Sequence, residues 1–345
     1  MEIIKPDINI DFIGKRKIAF SFSLAVIFVG IISLIVHKGP RYGIDFLGGS
    51  LIQIKFASHA KIEDIKSGLE TLGLGKSTVQ SFGMKNQNEY LIRADRTENA
   101  DQKFTDLLKD KLKSATGADV EIRRIEIVGP QVGKDLQRKA LLAIFFSLLF
   151  ITIYISGRFE FKWITSGIIS GVLMGGVYLL YLFEVSMVIL ILAAMILSLI
   201  LLWLLNLKYG MGAIVTLIHD TMIIVGIFSF MGKEFTLPVI ASLLTYIGYS
   251  LNDTIVIFDR IRENLKKHPR HSMEAIINRS INETLSRTIL TSGTVLIVVA
   301  SLFFLGGEII HDFALVMLLG VFIGTYSTIY ISCPVLLFWP DSRKK

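Results

Sequence analysis

Apolar residues run along this chain in stretches of about 20, the length needed to cross about 30 Å of hydrocarbon. Eight such runs are present, at 18–36, 140–156, 164–183, 185–207, 211–231, 235–258, 288–306 and 312–338. Each predicts a helix, because backbone groups in lipid must be satisfied within the segment itself. The stretch 37–139 has a different pattern. Leu51-Ile52-Gln53-Ile54-Lys55-Phe56 and Val120-Glu121-Ile122 alternate like half-buried strands, while Leu107, Leu108 and Leu112 form a helical stripe. The predicted order is strand 50–56, helix 61–72, strands 78–82 and 89–94, helix 101–115 and strand 120–128. This β-α-β-β-α-β order predicts a ferredoxin-like α+β domain.

Composition agrees with the pattern: of 345 residues, 52% are hydrophobic, too many for an ordinary water-soluble domain. The fold class is therefore a polytopic α-helical membrane protein with one domain outside the cytoplasm. The first run follows Lys15, Arg16 and Lys17, but it ends in HKGPRYG without a small-residue cleavage site, so it reads as a retained anchor. The single cysteine, Cys333, excludes an intrachain disulfide.

The net charge of +7 follows from topology. With the N-terminus in the cytoplasm, the inner segments carry Lys5, Lys15, Arg16, Lys17, Arg158, Lys162, Lys208, the basic loop 259–287, and Arg343, Lys344 and Lys345. The short outer loops carry Lys233. Such asymmetry is the positive-inside rule, and it puts both termini in the cytoplasm. It also explains the basic loop without nucleic acid. The resulting organisation is a cytoplasmic N-terminus (1–17), first span (18–36), outer domain (37–139), and second span with its turn (140–163). An added helix pair (164–207), two spans (211–258), the basic loop (259–287), two spans (288–338) and the tail (339–345) follow.

Gly73-Leu74-Gly75-Lys76-Ser77-Thr78 tempts a phosphate-loop reading, but Glu70 stands where that motif needs its first glycine, so this is a polar turn. Gly167, Gly171 and Gly175, and likewise Gly320 and Gly324, recur every four residues and predict close helix packing. An enzymatic step is not expected, since no nucleophile–base or metal-ligand cluster appears.

Candidate chemistry lies at membrane depth. An ionisable residue inside hydrocarbon costs about 2.5–3.5 kcal/mol and is kept for a partner or a job. Asn252-Asp253 precedes Asp259, where the span exits, by six residues, about 9 Å inside the boundary. Thr245, Tyr246, Tyr249 and Ser250 come just before and are expected to share its hydrated face. Arg287 opens the run Thr288, Thr291, Ser292 and Thr294, and His219-Asp220 lie near the midplane. Such groups in adjacent spans suit a proton relay, in which protonating Asp253 releases Arg287.

The run SLNDTIVIFDRIREN at 250–264 resembles the signature of the SecF family, membrane subunits of the bacterial SecD–SecF complex and members of the RND class. YGIDFLGGS (42–50), IEIVGPQVGKDL (125–136), GRFEFKW (157–163), SRTILTSGT (286–294) and LGG (305–307) agree in order along nearly the whole chain. The resemblance implies an RND-like helix bundle in the bacterial inner membrane, working with SecD to use the proton motive force in protein export. It implies the SecY–SecE–SecG channel and the translocating preprotein as partners, with YajC and YidC as further candidates. No cofactor is implied beyond the H⁺ gradient, with Na⁺ the alternative ion. By motif, Asp253 and Arg287 match the coupling carboxylate and its basic partner, His219 and Asp220 the family's His-Asp pair, and Asp45, Gly48 and Gly49 the D-F-x-G-G turn. Leu47 replaces the usual Thr. The pair 164–207 exceeds the family's six spans. A small-molecule exporter and a non-transporting scaffold are the alternatives.

Overall fold

The strand alternation outside the apolar runs becomes one antiparallel sheet. The computed structural model describes residues 8–75, 77–82, 88–94, 102–160, 163–182 and 187–339. Lys5, Lys76, Lys162, Arg343, Lys344 and Lys345 lie outside the described residues, as does position 101 at the start of the expected helix. The chain forms two compact units, Tyr42–Lys139 and the remainder.

Helix α1 (Arg16–Val36) precedes the smaller unit, which begins with the short α2 (Ile44–Leu47) and continues as β1 (Gly49–Phe56), α3 (Ile62–Glu70), β2 (Thr78–Phe82), β3 (Glu89–Ala94), α4 (Gln102–Thr116) and β4 (Val120–Val128). Strand order β2-β3-β1-β4, all neighbours antiparallel, is the ferredoxin-like arrangement expected. Ile52, Ile54 and Phe56 point to one face, where they meet Ile65 and Leu69 of α3 and Leu108 and Leu112 of α4 in a sealed core. The turn before β1 needs glycine twice over. Gly48 and Gly49 have φ of 79° and 122°, and a Cβ on Gly48 would stand 2.8 Å from the Cα of Pro130. Asp45 sits in the first turn of α2, and Leu47 is exposed.

The second unit is helical: α5 (Pro130–Glu160), whose first residues belong to the smaller unit, then α6 (Trp163–Leu182), α7 (Met187–Leu204), α8 (Lys208–Phe230), α9 (Leu237–Lys267), α10 (Met273–Leu305) and α11 (Glu308–Ser327). A π-turn (Thr328–Ser332) and the short α12 (Cys333–Val335) complete the last apolar run. Pro334 explains the turn: it lacks an N–H, and its ring would press on the carbonyl four residues back. Among the described residues six helices are long and apolar enough to cross a membrane, which makes this a multi-pass membrane protein. The added pair α6 and α7 is helical and packs together. Phe258, Tyr209, Phe159 and Leu217 lie in the large apolar core, and Gly30 of α1 and Gly226 of α8 bring those helices into backbone contact.

Two expectations fail. The basic segment 259–287 is not a loop. Helix α9 runs on to Lys267 and α10 starts at Met273, with Ser272 Oγ capping the backbone N–H of Ala275 at 3.3 Å. The charged residues there are good helix formers and pair along the helix, as in Glu263 with Lys267 and Glu283 with Arg279. Asn264 Nδ2 then ties the two helices by donating to Ser280 Oγ at 3.0 Å and Glu283 Oε2 at 2.8 Å. The Gly167, Gly171 and Gly175 stripe also fails as an internal packing face, because a Cβ at any of the three would meet nothing within 4 Å. Gly320 and Gly324 do what was expected. A Cβ there would come within 2.3 Å and 3.0 Å of Tyr246.

Candidate functional site

Helices α8, α9, α10 and α11 each turn hydroxyl or ionisable groups toward one another inside the apolar unit. Period-3.6 spacing on α9 sets residues four apart in one row, so Tyr246 and Ser250 face one partner while Tyr249 and Asp253 face another.

The first cluster surrounds Asp220 on α8, which is fully buried. Its Oδ2 accepts hydrogen bonds from Tyr246 Oη at 2.6 Å, Ser250 Oγ at 3.1 Å and Ser327 Oγ at 2.9 Å. Oδ1 lies 2.8 Å from Nδ1 of His219, and His219 Nε2 lies 2.9 Å from Ser23 Oγ on α1. Ser23 is in turn 3.0 Å from the Tyr326 hydroxyl, which donates to the Ala19 carbonyl at 2.7 Å. Gly320 and Gly324 make room for the Tyr246 ring, so a packing feature and a polar one are the same feature.

The second cluster surrounds Asp253 on α9. This carboxylate is also buried, but Oδ2 receives a long hydrogen bond, 3.3 Å, from Ser292 Oγ on α10, with Thr291 beside it. Ser292 Oγ accepts from Tyr249 Oη at 3.1 Å and lies 2.9 Å from Thr325 Oγ1 on α11. Arg287 makes no direct ion pair with Asp253. It is exposed on α10 and acts on the carboxylate through space. The expected contact pair is therefore a separated pair.

Other placements differ from the sequence reading as well. Asn252 is exposed, on the face of α9 away from Asp253, because adjacent helix positions point about 100° apart. Thr245 is exposed and returns its hydroxyl to Ala241 of its own helix at 2.8 Å. Tyr246 and Ser250 serve Asp220 rather than Asp253, and Tyr249 alone of that group reaches the Asp253 cluster.

The sequence reading missed the hydroxyl groups at the end of the last span. Thr325, Tyr326, Ser327 and Thr328 are four consecutive hydroxyl residues, and each meets a different partner: Ser292, Ser23, Asp220 and, at 3.0 Å, Thr254 of α9. Four hydroxyls in a row inside an otherwise apolar run were the available signal. That Thr325 reaches one cluster and Tyr326 and Ser327 the other, just before the π-turn, was not readable from spacing.

The described residues hold no group of three His, Cys, Asp or Glu side chains placed to bind a metal ion. Buried carboxylates bonded to hydroxyls and one imidazole can take up, hold and release a proton.

Comparison with known proteins bears on what such a site serves. Residues 107–181 and 175–342 match the family model described as protein export membrane protein SecD/SecF, C-terminal, and 33–58 match the SecD/SecF GG motif. The chain is 40% identical over 338 residues to the protein translocase subunit SecF of Desulfurispirillum indicum, covering 96% of this chain and 91% of that one. It is 41% identical over 350 residues to the corresponding subunit of Magnetococcus marinus, covering 100% and 97%. Among solved structures, SecDF from Thermus thermophilus, a translocon-associated membrane protein, superposes with a TM-score of 0.71 at 29% identity. That match covers 98% of this chain but 39% of the longer SecDF chain.

Proposed function

Because the chain belongs to the SecF family of protein translocase subunits, we propose that it converts proton movement at Asp253 into work on a translocating polypeptide, in complex with SecD. Its role is transport, in Sec-dependent translocation, rather than small-molecule export or passive scaffolding.

The observation that carries the proton reading is the poor satisfaction of one buried charge site. Asp253 sits in the membrane unit with a long bond from Ser292, and the Thr291 hydroxyl beside it is turned to the Arg287 and Thr288 carbonyls of its own helix at 3.0 Å. A carboxylate so placed gains from neutralisation by a proton, whereas a structural one is surrounded by donors. Arg287, at a distance, supplies a positive field that favours the return of the charge. One charge crossing the membrane potential is worth about 2.3 kcal/mol per 100 mV, enough to bias a helix rearrangement. His219 and Asp220 form the fixed part of the same apparatus. Asn252 is exposed and makes no contact with Asp253 in this arrangement.

The proposal places the protein in the bacterial cytoplasmic membrane with both termini inside, as the distribution of Lys and Arg supports. SecD is the partner, the SecY–SecE–SecG channel and an emerging preprotein are what the complex acts beside, and YajC and YidC are further neighbours. H⁺ is the coupling ion, with Na⁺ as the alternative. The turn at Asp45, Gly48 and Gly49 sets the start of β1 in the domain that meets the substrate.

Translocation of a preprotein into inverted membrane vesicles, with and without an imposed proton gradient, tests this. Asp253→Asn is expected to remove the gradient-dependent part completely. Full gradient response in that variant would refute the assignment, and a response to a Na⁺ gradient alone would replace the ion.

A further inference from the structure

A hydroxyl carries one proton and two acceptor sites, and counting them along one row of the Asp253 cluster gives an unexpected result. Ser292 Oγ has two acceptors in reach, Asp253 Oδ2 at 3.3 Å and Thr325 Oγ1 at 2.9 Å, but one proton to give. Thr325 has the same choice, since the carbonyl of Val321 lies 2.9 Å from its Oγ1. Tyr249 donates to Ser292 in either case. Two states put a proton in the 2.9 Å Ser292–Thr325 contact, and in each every hydroxyl gives one bond.

With Asp253 charged, Ser292 donates to the carboxylate and accepts from Tyr249 and Thr325, and Thr325, having given its proton to Ser292, lets go of Val321. With Asp253 protonated and donating to Ser292, Ser292 turns its own proton to Thr325, and Thr325 closes on the Val321 carbonyl. The proton gained by Asp253 comes from solution. No other covalent O–H bond breaks, and each hydroxyl only rotates about its C–O bond.

We propose that Ser292 and Thr325 are positioning residues that report the protonation state of Asp253 to α11 as the making or breaking of the Thr325–Val321 bond. A Thr hydroxyl bonded to the carbonyl four residues back bends a helix. Here the bend would fall just ahead of the Thr328–Ser332 π-turn, in the helix whose next two residues hold Ser23 and Asp220. The titratable and charged groups around Asp253 are Tyr249 on α9, Arg287 on α10, and Asp220 with His219 on α8, the last two bound through Tyr246 and Ser250. From α11 the contact is the Thr325 hydroxyl by way of Ser292.

This inference rests on Asp253 exchanging protons, and the experiment separates the two. In vesicles holding the complete complex with its SecD partner and the channel, Thr325→Val keeps the shape but removes the hydroxyl. It is expected to lower gradient-stimulated translocation about three- to tenfold, the value of one hydrogen bond. It should also shift the pH at which stimulation is half-maximal, while Thr325→Ser restores both. A Thr325→Val variant with normal stimulation and an unchanged pH profile, beside an inactive Asp253→Asn, overturns this inference and leaves the proton reading standing. Failure of Thr325→Ser to rescue would also overturn it, by marking the position as one of shape alone. An active Asp253→Asn would remove both.

Discussion

Asp220 and Asp253 lie in the same helical unit, both shut away from solvent, and are held in opposite ways. Three hydroxyls and an imidazole converge on Asp220 at 2.6–3.1 Å, from α8, α9 and α11. Asp253 has one long bond, at 3.3 Å from Ser292, a Thr291 hydroxyl engaged with its own helix carbonyls, and an arginine that stays apart. Burial by itself does not mark a carboxylate as moving a proton. The number of donors decides whether it is a fixed joint or a site with something to gain from a proton.

The most severe test of that contrast is to remove the joint. Asp220→Ala takes the carboxylate from Tyr246 and Ser250, each at a cost of about 1–3 kcal/mol, and leaves Ser327 the Gly324 carbonyl at 3.2 Å. The purified variant is expected to lose its cooperative thermal transition in detergent, while Asp253→Asn changes stability by less than about 1 kcal/mol. Equal destabilisation by the two would break the distinction. A smaller effect should follow from crowding Tyr246 without touching any polar atom. Gly320→Ala places a Cβ 2.3 Å from the ring, and at about 1–3 kcal/mol it should lower the melting temperature and weaken the Asp220 cluster. A melting temperature equal to wild type would show that the ring is not fixed there. The smallest effect belongs to Gly171→Ala. With open space around that position, stability in detergent should stay within about 0.5 kcal/mol. A marked loss would mean that the glycine stripe packs within the chain after all.

The smaller unit shows how far pattern alone can reach. Alternation in β1 and β4, and leucine stripes in α4, gave its elements within a residue or two, because a strand buried on one face and a helix buried along one stripe leave a period in the sequence. Six of the eight apolar runs are, among the described residues, helices long and apolar enough to cross a membrane; the pair 164–207 is not among them. Polar residues in the spans were legible as unusual, though their partners were not. Tyr246, Tyr249 and Ser250 stand within five residues on α9, and yet Tyr249 turns to α10 while the other two turn to α8. The segment 259–287 was mistaken for a loop because its charge reported which side of the membrane it occupies, and charge does not interrupt a helix.

The sequence by itself determined a multi-pass helical protein with one ferredoxin-like domain, and it exposed the ionisable residues placed where they are costly. Those properties follow from single-chain periodicity, apolar length and the expense of charge in hydrocarbon, none of which needs a neighbour. Tertiary structure alone decided that Asp220 is saturated with donors and Asp253 is not, that Arg287 stands off, and that Thr325 and Ser327 at the end of α11 each reach a different cluster. Hydrogen bonds between helices depend on rotation and depth to within an ångström, and residues 72 positions apart, such as Asp253 and Thr325, share a hydroxyl at Ser292 only because three helices close around it.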